Sequence, residues 1–174
     1  MMTKETYLRA MLKNMIPLFK AQDLPISAIA KDIQISCVDI KSKYVGFCSA
    51  ITSDHYYPEI SYEILIDDKV KDGLEATGIL VHEVCHAIQH HIYRDIGHGK
   101  EFKAIALAVG LTGKMTQAYP DKALTKQIEA WDKEVGVYPH PLSMSEKLID
   151  VMLDVINFGA GGYLLGFAIK YFST

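Results

Sequence analysis

At 174 residues the chain has the length of one domain with room for an appendage, and it can bury a substantial core. Apolar residues make up 49% of it, which excludes a disordered polymer. A formal net charge of −3 argues against a general nucleic-acid binder and leaves at most a local basic patch, such as Lys100, Lys103 and Lys114.

Taken in chain order, residues 3–21 place Tyr7, Leu8, Met11, Leu12, Met15 and Leu18 at helical spacing, and Pro17 is expected to kink or end this helix. Lys4, Glu5 and Arg9 interrupt any apolar run, so no signal peptide is read and the expected location is cytoplasmic. Leu24 and Pro25 start a turn, and residues 27–31 read as a short helix. Three strands are predicted over 33–40, 44–52 and 59–67, with the alternation slipping at Cys37 and Val38. Ser53, Asp54 and His55 read as a loop, and Pro58 suits the start of a strand. Cys37, Cys48 and Cys85 form no C-x-x-C pair, which fits reduced thiols in the cytosol. Cys37 and Cys48 are read as buried free thiols, with a facing pair on neighbouring strands as the alternative.

The stretch 79–111, ILVHEVCHAIQHHIYRDIGHGKEFKAIALAVGL, organises the rest. Asp72 is placed to cap a helix, with Glu75 three residues on as in a capping box, and Leu74, Ile79, Leu80, Val84 and Ile88 give that helix an apolar stripe. Within it His82, Glu83 and His86 form H-E-x-x-H. Positions four apart share a helix face, so both imidazoles can reach one ion, and Glu83 beside the first can hold a water on that ion. A catalytic zinc takes three protein ligands and keeps one position open. His90, His91 and His98 compete for the third place. His90 lies roughly 12 Å of helix rise from His82, and His91 points about 100° away from His90. His98 sits between Gly97 and Gly99, where the chain can turn and bring its ring back, so geometry favours it. Cys85 lies on another face and is read as packing.

H-E-V-C-H, followed by Gly97-His98-Gly99-Lys100-Glu101-Phe102 and Ala108-Val109-Gly110-Leu111, resembles the SprT-like zinc metallopeptidase domain, the family that includes the Spartan-type crosslink proteases and short bacterial and phage proteins. The resemblance extends over residues 3–142, with the motif region carrying it. It implies one catalytic Zn2+ held by His82, His86 and His98, with Glu83 as the catalytic carboxylate. It also implies a protein or peptide substrate and, through the Spartan-type members, a weak DNA association. Asp95 and Glu101 are near enough in sequence to support the ligating histidines, and Tyr119, Tyr138 and His140 are candidates for stabilising an oxyanion.

Residues 121–135 form another amphipathic helix, in which Trp131 is read as core rather than as a base-stacking platform. No cysteine follows Cys85, so no C-terminal zinc ribbon of the kind many such proteins carry is expected over residues 143–174. In its place Leu148, Val151, Met152 and Val155 face away from Glu146, Lys147, Asp150 and Asp154, and an uncharged run of Val155 to Ile169 follows. That run is shorter than the roughly 20 residues a spanning helix needs, although Gly162-x-x-x-Gly166 matches a helix-packing pattern. A helix docked on the body or on a second chain, membrane association, and a disordered end compete for this tail.

The expected fold is therefore α+β: a zincin-like metallopeptidase domain over 1–142, with a small, mostly antiparallel sheet packed on the helices that carry HExxH, followed by an apolar helical tail over 143–174. The expected function is zinc-dependent endopeptidase, with DNA-associated proteins among the candidate substrates. The alternatives are a non-catalytic zinc-containing binding module and a membrane-associated protease, each using residues 148–172 to contact a partner protein or a membrane.

Overall fold

The computed structural model describes residues 2–52 and 60–139, all within one compact unit, Met1–His140. The tail over 143–174, His55, Pro58 and His140 lie outside the described residues. Helix α1 (Lys4–Lys20) is capped by Thr3, whose hydroxyl accepts from the Thr6 N–H. It buries the stripe Tyr7, Leu8, Met11, Leu12, Met15 and Phe19. Pro17 does not end it. The helix runs another turn to Lys20, because Phe19 is fully buried there and Ala21 N–H still bonds the Pro17 carbonyl at 3.0 Å. The short helix α2 (Ile26–Ile29) and one 3-10 turn (Ala30–Asp32) lead into the sheet.

Strands β1 (Ile33–Val38), β2 (Gly46–Thr52) and β3 (Ile60–Asp67) lie in the order β1-β3-β2. β3 pairs with β1 in parallel, Ile33 opposite Tyr62, and with β2 in antiparallel, Gly46 opposite Ile66. The sheet is thus mixed, where a mostly antiparallel one was expected. Burial explains the order: β3 buries Tyr62, Ile64, Ile66 and Asp67 and takes the centre, whereas β2 buries only Cys48 and takes an edge. The slip in β1 resolves as a turn outward, with Cys37 half-buried and Val38 exposed. Cys37 and Cys48 pair with Ile66 and Ile64 on opposite sides of β3, so they do not face each other. All three thiols are free.

Ile33, Ile35, Cys48, Tyr62, Ile64 and Ile66 from the sheet join one core with α3 (Gly73–Tyr93). Helix α4 (Lys100–Ala108), the short ribbon of β4 (Leu111–Thr112) with β5 (Tyr119–Pro120), and helix α5 (Lys122–Val135) complete the unit. Asp121 caps α5 through two 2.8 Å bonds, to the N–H groups of Ala123 and Leu124. Leu124, Ile128 and Trp131 are buried, so Trp131 belongs to the core. No helix among the described residues is long and apolar enough to cross a membrane.

Candidate metal centre

Helix α3 starts where its cap dictates: the Asp72 carboxylate accepts from the Glu75 N–H at 2.8 Å, which is the Asp72 half of the expected capping box. Further along the helix, His82 and His86 stand side by side with ring centroids 5.0 Å apart. The helix ends at Arg94, whose left-handed backbone (φ 59°, ψ 31°) reverses the chain. The chain bends again over Gly97, His98 and Gly99, where neither glycine needs a positive φ. The effect is the expected one. His98 Nε2 lies 3.2 Å from His82 Nε2 and 3.1 Å from His86 Nε2.

These distances fit a metal. Zinc–nitrogen bonds of about 2.0–2.1 Å in a tetrahedron set ligand nitrogens roughly 3.3–3.4 Å apart. Hydrogen bonds alone fit less well, because His98 Nε2 would have to serve two partners with one proton or one lone pair, whereas a cation takes all three lone pairs at once. Burial lowers the pKa of each ring: His82 to about 4, helped by His98, and His86 to about 3, helped by His82 and His98. Metal ligation requires the neutral form, and burial supplies it at neutral pH. His82, His86 and His98 could therefore hold one metal ion.

Phe102, the aromatic residue of the G-H-G-x-x-F segment, is the platform beneath the triad. Fully buried, it stacks on His86 at 4.2 Å and 26°, and its centroid lies 4.9 Å from those of both His82 and His98. Phe102→Ala is expected to lower stability by about 3–5 kcal/mol by opening a cavity under all three rings, and Phe102→Leu, which refills much of that cavity, to lose clearly less. Urea unfolding of the two variants checks this, and a cost below about 1 kcal/mol for the alanine would mean that the ring is not the platform.

Glu83 is 6% exposed, and burial raises its carboxyl pKa to about 8. Edge strand β2 begins against it. A Cβ on Gly46 would lie 2.7 Å from Glu83 Oε1 and 2.5 Å from the Ile79 side chain, so only glycine lets the strand approach this closely. A cation at the triad acts against burial and favours the carboxylate.

The remaining sequence candidates separate cleanly. His90 is outside the triad, its Nδ1 3.5 Å from the Tyr62 hydroxyl, and His91 is half-buried further round the helix. Tyr138 packs edge-on against Tyr7 at 5.0 Å and touches the Gly73 end of α3, about 13 Å of helix rise before His82. It is too far away to stabilise an oxyanion at the triad. The Tyr119 ring lies over Gly113 in its own ribbon. Glu101 stands 3.6 Å from Lys100 Nζ, and Lys103 and Lys114 are exposed. Asp95 does reach the site, but through an intermediary that the sequence reading overlooked: Gln89, fully buried, with Oε1 3.4 Å from His86 Nδ1 and Nε2 donating to Asp95 Oδ2 at 2.9 Å. A glutamine three residues after a ligand, on the apolar side of a helix, was the available signal. A second acidic group, Asp39, Asp67 and Asp68, already has Lys69 against Asp39.

Residues 41–123 match the model of the SprT-like family. The match spans just under half of the chain, from before β2 to the first turn of α5, and contains the triad, Glu83, Gln89 and Phe102. Residues 3–40 and 124–142, included in the resemblance read from the sequence, fall outside it. No curated protein and no solved structure matches the chain.

Proposed function

We propose that this protein is a zinc-dependent endopeptidase, a reading supported by the match of residues 41–123 to the SprT-like family, which suggests a metallopeptidase-like unit. His82, His86 and His98 hold one zinc ion, and Glu83 is the general base. The observation that carries this reading is the convergence of three neutral imidazole nitrogens beside a buried carboxyl group. When bound, zinc polarises a carbonyl and lowers the pKa of water towards about 7.

The chain's own residues do the rest. Glu83 takes the proton of the attacking water and delivers it to the leaving amine. Strand β2 is an edge of the sheet and starts at Glu83, so an extended peptide can add alongside it through main-chain hydrogen bonds. Phe47 and Ile51, exposed on the same strand, offer that peptide apolar contacts.

The test is cleavage of a DNA-binding protein by the zinc-loaded chain, with and without single-stranded DNA. Cleavage is expected, to be lost when a chelator strips the metal and restored by one equivalent of zinc. A dependence on DNA would place the substrates among DNA-associated proteins. Cleavage that survives complete removal of metal, or no cleavage by fully loaded protein, would overturn the reading.

A further inference from the structure

A continuous set of hydrogen bonds runs from one ligand candidate to the loop that carries another. His86 Nδ1 meets Gln89 Oε1 at 3.4 Å, Gln89 Nε2 donates to Asp95 Oδ2 at 2.9 Å, and Asp95 Oδ1 accepts from the Gly97 N–H at 3.1 Å. The next residue is His98. One carboxylate thus touches both arms of the triad, the first through a buried amide and the second through the backbone.

The chemistry of these groups gives the set a direction. An ionised carboxylate only accepts hydrogen bonds. Asp95 therefore requires the Gln89 NH2 to point towards it, which leaves Gln89 Oε1 facing His86. A carbonyl oxygen also only accepts, so His86 Nδ1 must carry the proton. The ring then has one tautomer, with the Nε2 lone pair aimed at His82 and His98. Without this orientation a neutral His86 could place its proton on Nε2, inside the triad, where it would block a metal.

We propose that Asp95 and Gln89 are positioning residues that fix the metal-binding tautomer of His86 and, through Gly97, the placement of His98. The proposal rests on His82, His86 and His98 being metal ligands and is independent of peptide hydrolysis. Second-layer partners of this kind typically change metal affinity about 10–100-fold.

Asp95→Asn is the informative variant, because it keeps the shape and lies on an exposed loop. With the oxygen of the new amide held by the Gly97 N–H, its NH2 faces Gln89. The Gln89 amide then flips and presents NH2 to His86 Nδ1, which must accept, and the proton moves to Nε2. Gln89→Leu interrupts the set without altering Asp95 and Gly97.

The experiment measures zinc affinity by competition with a chelator, and reads the His86 tautomer in the metal-free full chain from its imidazole nitrogen-15 shifts. Wild type is expected to hold the proton on Nδ1. Asp95→Asn is expected to shift it towards Nε2 and to weaken zinc binding about 10–100-fold, and Gln89→Leu to lose the tautomer preference. If either variant keeps the proton on Nδ1, even with weaker zinc binding, the residues only stiffen the loop and the proposal is overturned. Unchanged zinc affinity in Asp95→Asn would also overturn it. A wild-type chain that binds zinc and shows these effects but cleaves nothing would refute the peptidase reading and leave this one standing.

Discussion

Glu83→Gln is expected to leave zinc bound and to slow peptide hydrolysis about 10²–10⁴-fold, the range that a positioned general base supplies. The substitution keeps the volume and planarity of the side chain, so Gly46 and Ile79, which crowd Glu83, need not move. It touches none of the three imidazole nitrogens. What it removes is the carboxylate next to His82, a group that can accept a proton and release it again. The loss should fall on kcat rather than on KM, since the interaction is made as the proton moves and not as the substrate binds. Rates compared at equal zinc content decide the matter. Undiminished turnover by the glutamine variant would remove Glu83 from the mechanism and point to another base.

The same substitution is expected to stabilise the metal-free fold at alkaline pH. Burial raises the Glu83 carboxyl from the ordinary 4.5 to about 8, so the folded chain keeps a proton that the unfolded chain releases. Stability therefore falls as pH rises from about 4.5 to about 8, and it is not regained above that. His82 and His86 act at the other end. Their folded values of about 4 and about 3 lie below the ordinary 6.5, so protonation favours the unfolded chain, and stability rises with pH from about 3 to about 6.5. Of these three groups only Glu83 still titrates above 6.5, and the alkaline contributions of the thiols, raised by desolvation, are common to both proteins. At pH 9 the metal-free glutamine variant should exceed wild type by a few kcal/mol, with an upper bound of about 4–5 kcal/mol at roughly 1.4 kcal/mol per pH unit. The gap should close by about pH 5. Urea midpoints of chelator-treated proteins at pH 5, 7 and 9 measure it, and a difference that does not change with pH would show that this carboxyl titrates normally.

Much of the fold and the site was legible because it depends on local chemistry. Asp72 and Asp121 announce the starts of α3 and α5, since a cap needs only a carboxylate and the next few N–H groups. His82 and His86 follow from helical periodicity, and His98 from the short return of the chain. The failures are matters of tertiary context. The order β1-β3-β2 depends on which strand buries most surface, a comparison among segments that no single segment contains. Gly97 and Gly99 do mark the bend at His98, but no turn signal announces Arg94, the left-handed residue that ends α3 before it. Pro17 stays helical because the packing of Phe19 outweighs its local cost. Gln89 was passed over because, in a sequence, a buried amide within an apolar stripe looks like any exposed one.

The return at Arg94 also bears on how the chain reaches its native state. His82, His86 and His98 lie within seventeen residues, in one helix–loop–helix segment. The first parallel pairing of the sheet, Ile33 with Tyr62, must instead close a loop of almost thirty. Local contacts form ahead of distant ones, and a metal that binds only the assembled triad contributes its affinity to whatever has folded at that moment. Zinc added before refolding should therefore hold the helix–loop–helix segment once it has formed and speed the later condensation of β3 and β2 on it. Added afterwards, it can only slow unfolding. The order of addition thus becomes a kinetic variable for this protein, although the end state is the same.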